Sequence, residues 1–385
     1  MSVLFMMPQW HAVSEGWMHQ MIANISEYII AIAVTNTKGE DAWQDTIPAY
    51  SLFPETKSIR YLSKFSKAFN LSVRKIPPKG DEYLISLIHK LPIDKIFCQY
   101  GTYAVRFMDV WEKTELPLYI HFHGYDAEFD LREDSNPEKF IHSCDYLKKI
   151  KELQHRAIFI TNSHAAKTKL VNAGILPERI IVKYYGIPLP NHKHEHTKKN
   201  FIKILHLGRL VDCKSPDRTI KAFEIAKSEG LDGELIIAGD GPLKSMCELL
   251  RLRSPYQDSI TLMGAVSNKT AQELYLEADV FTQHNITGEI SYQTESLGSS
   301  ILEAMAAALP IVGTKNGGVQ ETVVDDETGY LNDPGDIEAQ AQSFLELGEN
   351  PNLRQKMGKA GRKRVAEYFS PEREREALIR IMDLE

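Results

Sequence analysis

Two glutamates eight residues apart, Glu295 and Glu303, bracket a Gly298-Ser299-Ser300 turn in the stretch ESLGSSILEAMAAALPIVGT. The turn opens a helix, and a helix start carries unpaired backbone N–H groups and the positive end of the dipole. A phosphate would rest on that helix end. The two acids would accept hydrogen bonds from ribose and sugar hydroxyls, which makes the stretch suit a nucleotide-sugar. A glutamate ahead of a helix also steadies its dipole by about 0.3–1 kcal/mol, so the pair by itself decides nothing. A second element lies upstream. Gly208-Arg209-Leu210 ends a strand, and Lys214 precedes Ser215-Pro216-Asp217, an N-cap residue followed by proline. Arg209 and Lys214 therefore both fall at the C-terminal end of a strand, where open α/β sheets bind ligands. Two cations there suit a pyrophosphate whose charge grows as it departs. Plain solvent exposure is the commoner fate of such a pair.

The elements that hold these residues alternate along the chain. Strands are expected at Val3–Met7, Ile29–Thr35, Lys95–Gln99, Leu118–Phe122 and Ala157–Asn162. A helix over Trp17–Tyr28 places Trp17, Met21, Ile22 and Ile25 on one face. The polar, unpatterned run 188–200 reads as a linker. Alternation resumes with strands at Ile202–Leu207, Leu235–Ala238, Ile260–Met263, Val280–Gln283 and Ile311–Gly313, and helices at 215–230, Leu302–Ala308 and Ser370–Glu385. Strand-helix alternation predicts parallel sheets covered on both faces. We expect α/β architecture: two Rossmann-like doubly wound domains facing each other across a cleft. The expected boundaries are 1–190, a linker at 191–200, 201–369, and a helix over 370–385 that returns to the first domain.

Composition narrows the classes. The chain has 385 residues with 43% hydrophobic and 25% charged, an ordinary globular balance of a size for two domains. Net charge is −7, divided as +3 over residues 1–200 and −10 over 201–385, which argues against nucleic acid as a partner. The longest clean apolar run, Tyr28–Val34, is far short of the roughly 18 residues a membrane span needs. The N-terminus lacks the basic segment of a secretory leader. Cys98, Cys144, Cys213 and Cys247 have no metal or disulfide spacing and read as free thiols. A cytoplasmic protein, at most at the inner face of the cell membrane, is the expectation.

Taken in order, Gly208-Arg209-Leu210-x3-Lys214, Gly239-Asp240-Gly241-Pro242, the Glu295–Glu303 stretch and Asn316-Gly317-Gly318-Val319-Gln320-Glu321 resemble the retaining glycosyltransferases of family 4 with the GT-B fold. The likeness covers most of 202–365. It is thinner upstream, where His121-Phe122-His123-Gly124-Tyr125-Asp126, Ser163, Gly186, Pro8 and Ser14-Glu15-Gly16 match. The first loop is closer to members that build polysaccharide and lipopolysaccharide than to those with a double glycine.

The resemblance implies roles. Arg209 and Lys214 would hold the donor diphosphate, with Gly208 beside them. Glu295 would bind hydroxyls of the transferred sugar and Glu303 those of the ribose. His123 would sit at the anomeric centre. Gly16, Gly298, Ser299 and Ser300 would meet the phosphates through backbone, and Gly264 and Val266 would face the base. The donor would be a UDP- or GDP-sugar and the acceptor a glycan or glycolipid, with no metal and no cofactor. The chain departs from the family at Ser14-Glu15, at Ala308 in place of a common glycine, at Gln320 in place of proline, and in the polar loop Asn285–Thr294.

Other readings stay open on the residues alone. His121 and His123 share one face of a strand, but two histidines make an incomplete metal site. His123 or Asp126 would serve as base in an inverting enzyme of the same body. A catalytically inactive nucleotide-sugar-binding subunit would keep the fold and lose the charged clamps, all of which are present. Residues 57–80 carry seven cations and no acid among interleaved aromatics. They suit an anionic membrane, and equally an amphipathic helix with its apolar face in the core.

Overall fold

The computed structural model describes residues 1–9, 16–35, 42–53, 80–129, 131, 142–191 and 201–385. Ser14, Glu15, nearly all of the basic segment 57–80 and most of the linker at 191–200 lie outside them.

The strands form two sheets. In the first, β1 (Val3–Met7), β2 (Ile29–Val34), β3 (Ala42–Trp43), β4 (Ile47–Ser51), β5 (Lys95–Gln99), β6 (Leu118–Phe122), β7 (Ala157–Thr161) and β8 (Ile180–Val182) run in the order β3-β4-β2-β1-β5-β6-β7-β8. All pairs are parallel except the short edge pair β3–β4. In the second, β9 (Ile202–Leu207), β10 (Gly233–Ala238), β11 (Ile260–Gly264), β12 (Val280–Thr282), β13 (Ile311–Thr314) and β14 (Gly329–Asn332) run in the order β11-β10-β9-β12-β13-β14, all parallel. β1, β5 and β6 are buried along their whole length. That is why their sequences are continuous apolar runs rather than alternations.

Leaving aside the short edge strand β3, each order reverses once, between β1 and β5 and between β9 and β12. Ligands of open parallel sheets bind at such switch points, beyond the strands' C-terminal ends. Those ends carry Gln9 and Tyr100 in one sheet and Gly208, Arg209 and Gln283 in the other.

The helices used below are α1 (Gly16–Asn24), α2 (His164–Asn172), α3 (Pro216–Ser228), α4 (Asn268–Glu277), α5 (Ser299–Ala306), α6 (Pro351–Tyr368) and α7 (Pro371–Met382). The last of these leaves its own sheet. Leu378, Met382 and Leu384 join the core of the first sheet, and Arg375 pairs with Glu27 beyond α1. Lys183 and Glu374 form an ion pair with exposures of 0% and 1%, and Asn24 Nδ2 donates to Glu374 Oε2 at 2.9 Å. Gly186 permits the crossing, since a Cβ there would stand 2.7 Å from the Pro371 Cα. No helix among the described residues is long and apolar enough to cross a membrane.

The structure differs from the sequence reading in places. α1 stops at Asn24 because residues 25–28 turn into β2. α5 starts at Ser299, at the turn the sequence marks, and ends at Ala306 rather than Ala308. β3, β8 and β14 are too short or too glycine-bounded to show a period, and β4 is interrupted by Pro48. Ser215 occupies the cap position of α3 but does not cap it. It takes a left-handed φ of 38°, and its hydroxyl donates to the Asp212 carbonyl at 2.7 Å. Ala308 sits at φ 68°, just past α5, where Leu309 N donates to Ala304 O at 3.0 Å. That helix ending favours glycine, so the alanine holds a strained backbone.

Candidate active site

A cleft of about 910 Å³ lies between the two sheets' C-terminal ends. On its C-terminal side, α5 aims its start into the cleft, with Ser299 and Ser300 on the wall. Gly298 precedes them at φ 85°, a conformation that glycine adopts without penalty. Ser300 Oγ accepts from Gln283 Nε2 at 3.0 Å, and the same amide donates to Leu207 O at 2.7 Å, tying α5 to the end of β9.

Lys214 Nζ lies 2.6 Å from Glu295 Oε2, both side chains 14% exposed. The ammonium also donates to Gln283 Oε1 at 3.2 Å, and Asn285 Nδ2 donates to Glu295 Oε2 at 3.3 Å. The backbone of Glu295 is gripped from behind. Its N–H donates to Asn316 Oδ1 at 3.3 Å, and Gly318 N–H donates to its carbonyl at 2.8 Å. A Cβ on Gly318 would stand 1.8 Å from the Ser296 carbonyl, so only glycine lets this turn approach so closely. Arg209 is exposed at the cleft wall. Glu303 accepts from Tyr275 OH at 2.9 Å, and burial raises its carboxyl above the ordinary range.

Opposite stands His123, on the wall between Trp17 and Tyr100, with ring centroids 4.3 and 4.7 Å away. Both ring nitrogens are engaged, Nδ1 with Tyr185 OH at 2.7 Å and Nε2 with Gln99 Oε1 at 2.9 Å. Burial and the charge of Lys183 push its pKa well down, so the ring is neutral. Asp126 is fully buried. It accepts from the backbone N–H groups of His123, Gly101 and Gly124 at 2.9, 2.9 and 3.1 Å. Burial nonetheless raises its carboxyl to about 6.

Among the described residues, contacts at Glu321, Ser296, Thr294 and Tyr292 join the two sides. Glu321 accepts from the first N–H groups of α2, His164 at 2.9 Å and Ala165 at 2.8 Å, and from Tyr184 OH at 2.9 Å. Ser296 Oγ donates to Asn162 Oδ1 at 2.5 Å. Thr294 donates to Glu128, which also faces Lys169 Nζ at 3.3 Å. Lys169 reaches the Tyr292 carbonyl as well, at 3.1 Å.

Glu128 is fully buried, and desolvation outweighs Lys169 and Thr294 to lift its carboxyl to about 6. The folded chain then holds this proton to a higher pH than the unfolded chain. The carboxyl's contribution is complete below its ordinary value near 4.5 and is lost as pH rises through about 6. Urea unfolding from pH 4.5 to 6.5 should therefore show wild type losing on the order of 2 kcal/mol relative to Glu128→Gln. A stability difference that does not vary with pH would contradict this.

Of the residues expected from sequence, Gly16, His123, Gly208, Arg209, Lys214, Val266, Glu295, Ser299, Ser300 and Glu303 line the one cleft. Gly264 and Gly298 do not. Gly264 acts behind the wall, its carbonyl accepting from Gly239 N–H at 2.8 Å, and Gly298 sets up α5. His121 faces Gln99 Oε1 at 3.2 Å, and no group of three or more His, Cys, Asp or Glu among the described residues is arranged to hold a metal. Sequence reasoning missed Trp17, Tyr100, Asn162, Tyr185, Tyr275, Gln283 and Ser296. Asn162 and Gln283 carried a signal, each as the last residue of a predicted strand.

Residues 190–364 match the family described as glycosyl transferases group 1. The chain is 29% identical over 193 residues to an N-acetyl-alpha-D-glucosaminyl L-malate synthase of Bacillus anthracis, covering 49% of this chain and 48% of that one. It is 28% identical over 241 residues to the capsular polysaccharide biosynthesis glycosyltransferase CapM of Staphylococcus aureus, covering 60% of each. It thus spans about half to three fifths of the length of these relatives. Among solved structures, Anabaena HepE in complex with UDP and glucose superposes with a TM-score of 0.76 at 17% identity, over 100% of this chain and 99% of that one. TarM of S. aureus, in a variant complexed with UDP, gives 0.73 at 14% over 100% and 99%. These likenesses establish two doubly wound domains of the GT-B type.

Proposed function

We propose that this chain, whose residues 190–364 match the glycosyl transferases group 1 family, is a retaining, metal-independent hexosyltransferase. It moves a sugar from a UDP- or GDP-sugar to a hydroxyl of a cell-surface polysaccharide or a lipid-linked oligosaccharide. The observation that carries this reading is the Lys214–Glu295 pair, held beside the start of α5 and facing His123 across one cleft.

In this reading residues 1–190 bind the acceptor and 201–369 the donor, while 370–385 return to the acceptor side. Arg209, Lys214 and the N–H groups of α5 hold the diphosphate and stabilise its growing charge as the sugar bond breaks. Glu295 accepts from hydroxyls of the transferred sugar, and Glu303 from the ribose. Apposition of the two walls keeps water from competing as acceptor. The likeness to a capsular polysaccharide biosynthesis glycosyltransferase supports the acceptor class.

Retention is favoured over inversion by the state of the two groups that would serve as base. Both nitrogens of His123 and both oxygens of Asp126 are already engaged within the protein. The departing phosphate is then the group left to take the acceptor's proton on the attacked face. With an α-linked UDP- or GDP-sugar and alkyl glycoside acceptors, in EDTA, NMR of the product should show an α linkage. A β linkage overturns the retaining mechanism, and dependence on added divalent cation overturns metal independence.

A further inference from the structure

A single chain of hydrogen bonds crosses the cleft behind the site. Ser296 Oγ donates to Asn162 Oδ1 at 2.5 Å, and Asn162 Nδ2 donates to Tyr185 OH at 3.0 Å. Tyr185 has one proton, and because Gln99 Oε1 can only accept from His123 Nε2, the Nδ1 of the neutral ring is left to accept that proton at 2.7 Å. A neutral His123 whose Nδ1 accepts must carry its own proton on Nε2, and this donates to Gln99 Oε1 at 2.9 Å. Every bond runs in one direction, from the residue after Glu295 to the far side of the His123 ring. The Tyr185 ring is also stacked on Trp17 at 4.9 Å, so its hydroxyl cannot swing away without moving the wall.

We propose that Asn162 and Tyr185 are positioning residues that lock the Nε2–H tautomer of His123 and make that lock depend on Ser296, and hence on apposition of the two domains. The proposal rests on the glycosyltransfer reading only for its effect on rate. When the domains part, the Ser296–Asn162 bond breaks first, because it joins the two. Asn162 Nδ2 keeps its bonds to Tyr185 OH and, at 3.3 Å, to the His123 carbonyl, but its oxygen loses its partner, so the amide and the Tyr185 hydroxyl it meets are held less firmly. His123 is held most firmly while Glu295, one residue from Ser296, faces it. Neither Asn162 nor Tyr185 lines the cleft, so each acts on the site through His123.

The test uses the full chain with 15N-labelled histidine, the His123 signals being assigned by their loss in His123→Asn. Wild type should show one neutral Nε2–H pattern. Tyr185→Phe keeps the stacked ring and loses the hydroxyl, and should give mixed tautomers. Ser296→Ala leaves both bonds of His123 untouched, so a mere packing role predicts no change, whereas the relay predicts that the His123 signals broaden or shift. In transfer assays Tyr185→Phe should lower kcat roughly tenfold with donor KM within twofold, the size expected for one buried hydrogen bond. Asn162→Asp, which cannot donate to Tyr185 when ionised, should behave like Tyr185→Phe. His123 signals unmoved in Ser296→Ala overturn the coupling across the cleft, and signals unmoved in Tyr185→Phe overturn the lock itself. A wild type with the tautomer signature but no transfer from any nucleotide-sugar overturns the glycosyltransfer reading and leaves the relay standing.

Discussion

Lys214→Ala lowers sugar transfer by about 10²–10³-fold, the loss typical when one fixed group that stabilises developing charge is removed. Lys214 is placed by the end of β9 and the start of α3, and its ammonium has three partners' worth of donors. Glu295 takes one at 2.6 Å and Gln283 another at 3.2 Å, which leaves a donor free toward the cleft. The loss should appear in kcat more than in donor KM, because the charge it faces grows only as the bond to the sugar breaks. Lys214→Arg should not restore the rate, since a planar fork cannot replace a compact ammonium inside this arrangement. Steady-state kinetics beside thermal unfolding separate this effect from a folding defect. Turnover within tenfold of wild type would remove Lys214 from the account.

Glu374→Ala should destabilise the chain by about 3–5 kcal/mol, because it leaves an unpaired ammonium in the interior. Lys183 and Glu374 are 0% and 1% exposed, and Asn24 shares the carboxylate at 2.9 Å. Burial already pulls the Lys183 pKa down, with Glu374 holding it up. The pair fixes α7 to the first domain at the place where the chain crosses back. Replacing both residues together, Lys183→Met with Glu374→Leu, should recover most of the loss, because no charge is then stranded. Urea unfolding of the two singles and the double gives the coupling directly. A single-variant loss below 1 kcal/mol would show that the interior accommodates the bare ammonium.

The fold was legible where physics repeats along the chain. Buried parallel strands such as β5 and β6 are apolar runs, and the Ser370-Pro371 start of α7 is a capped helix, with Ser370 Oγ accepting from Arg373 N–H. Short elements were not legible. β8 has three residues and β14 begins at a glycine, so neither shows a period. Ser215-Pro216-Asp217 has the composition of a cap, yet the serine is held left-handed by its bond to Asp212. Composition cannot reveal a tertiary demand of that kind.

The site divides the same way. Lys214 and Glu295 are 81 residues apart, and no spacing rule joins them; each was found from its own local motif. Tyr185 and Asn162 carry no motif, and Ser296 has no chemistry of its own within the Glu295–Glu303 stretch. Their partners are 62, 23 and 134 residues away, and only the folded chain brings the hydroxyl, the amide and the ring together. The reach of the first loop and of residues 57–79 lies outside the described residues.

The most direct test of the central claim is binding. The wild type and Glu303→Ala are titrated with UDP, GDP, ADP and CDP, without added metal, and thermal unfolding is followed. The account predicts that UDP or GDP stabilises the wild type, by about 2.7 kcal/mol at a hundredfold excess over Kd, and that Glu303→Ala loses most of that gain with the ribose contact. No stabilisation by any of the four, or equal stabilisation of both proteins, would contradict a nucleotide-sugar site in this cleft.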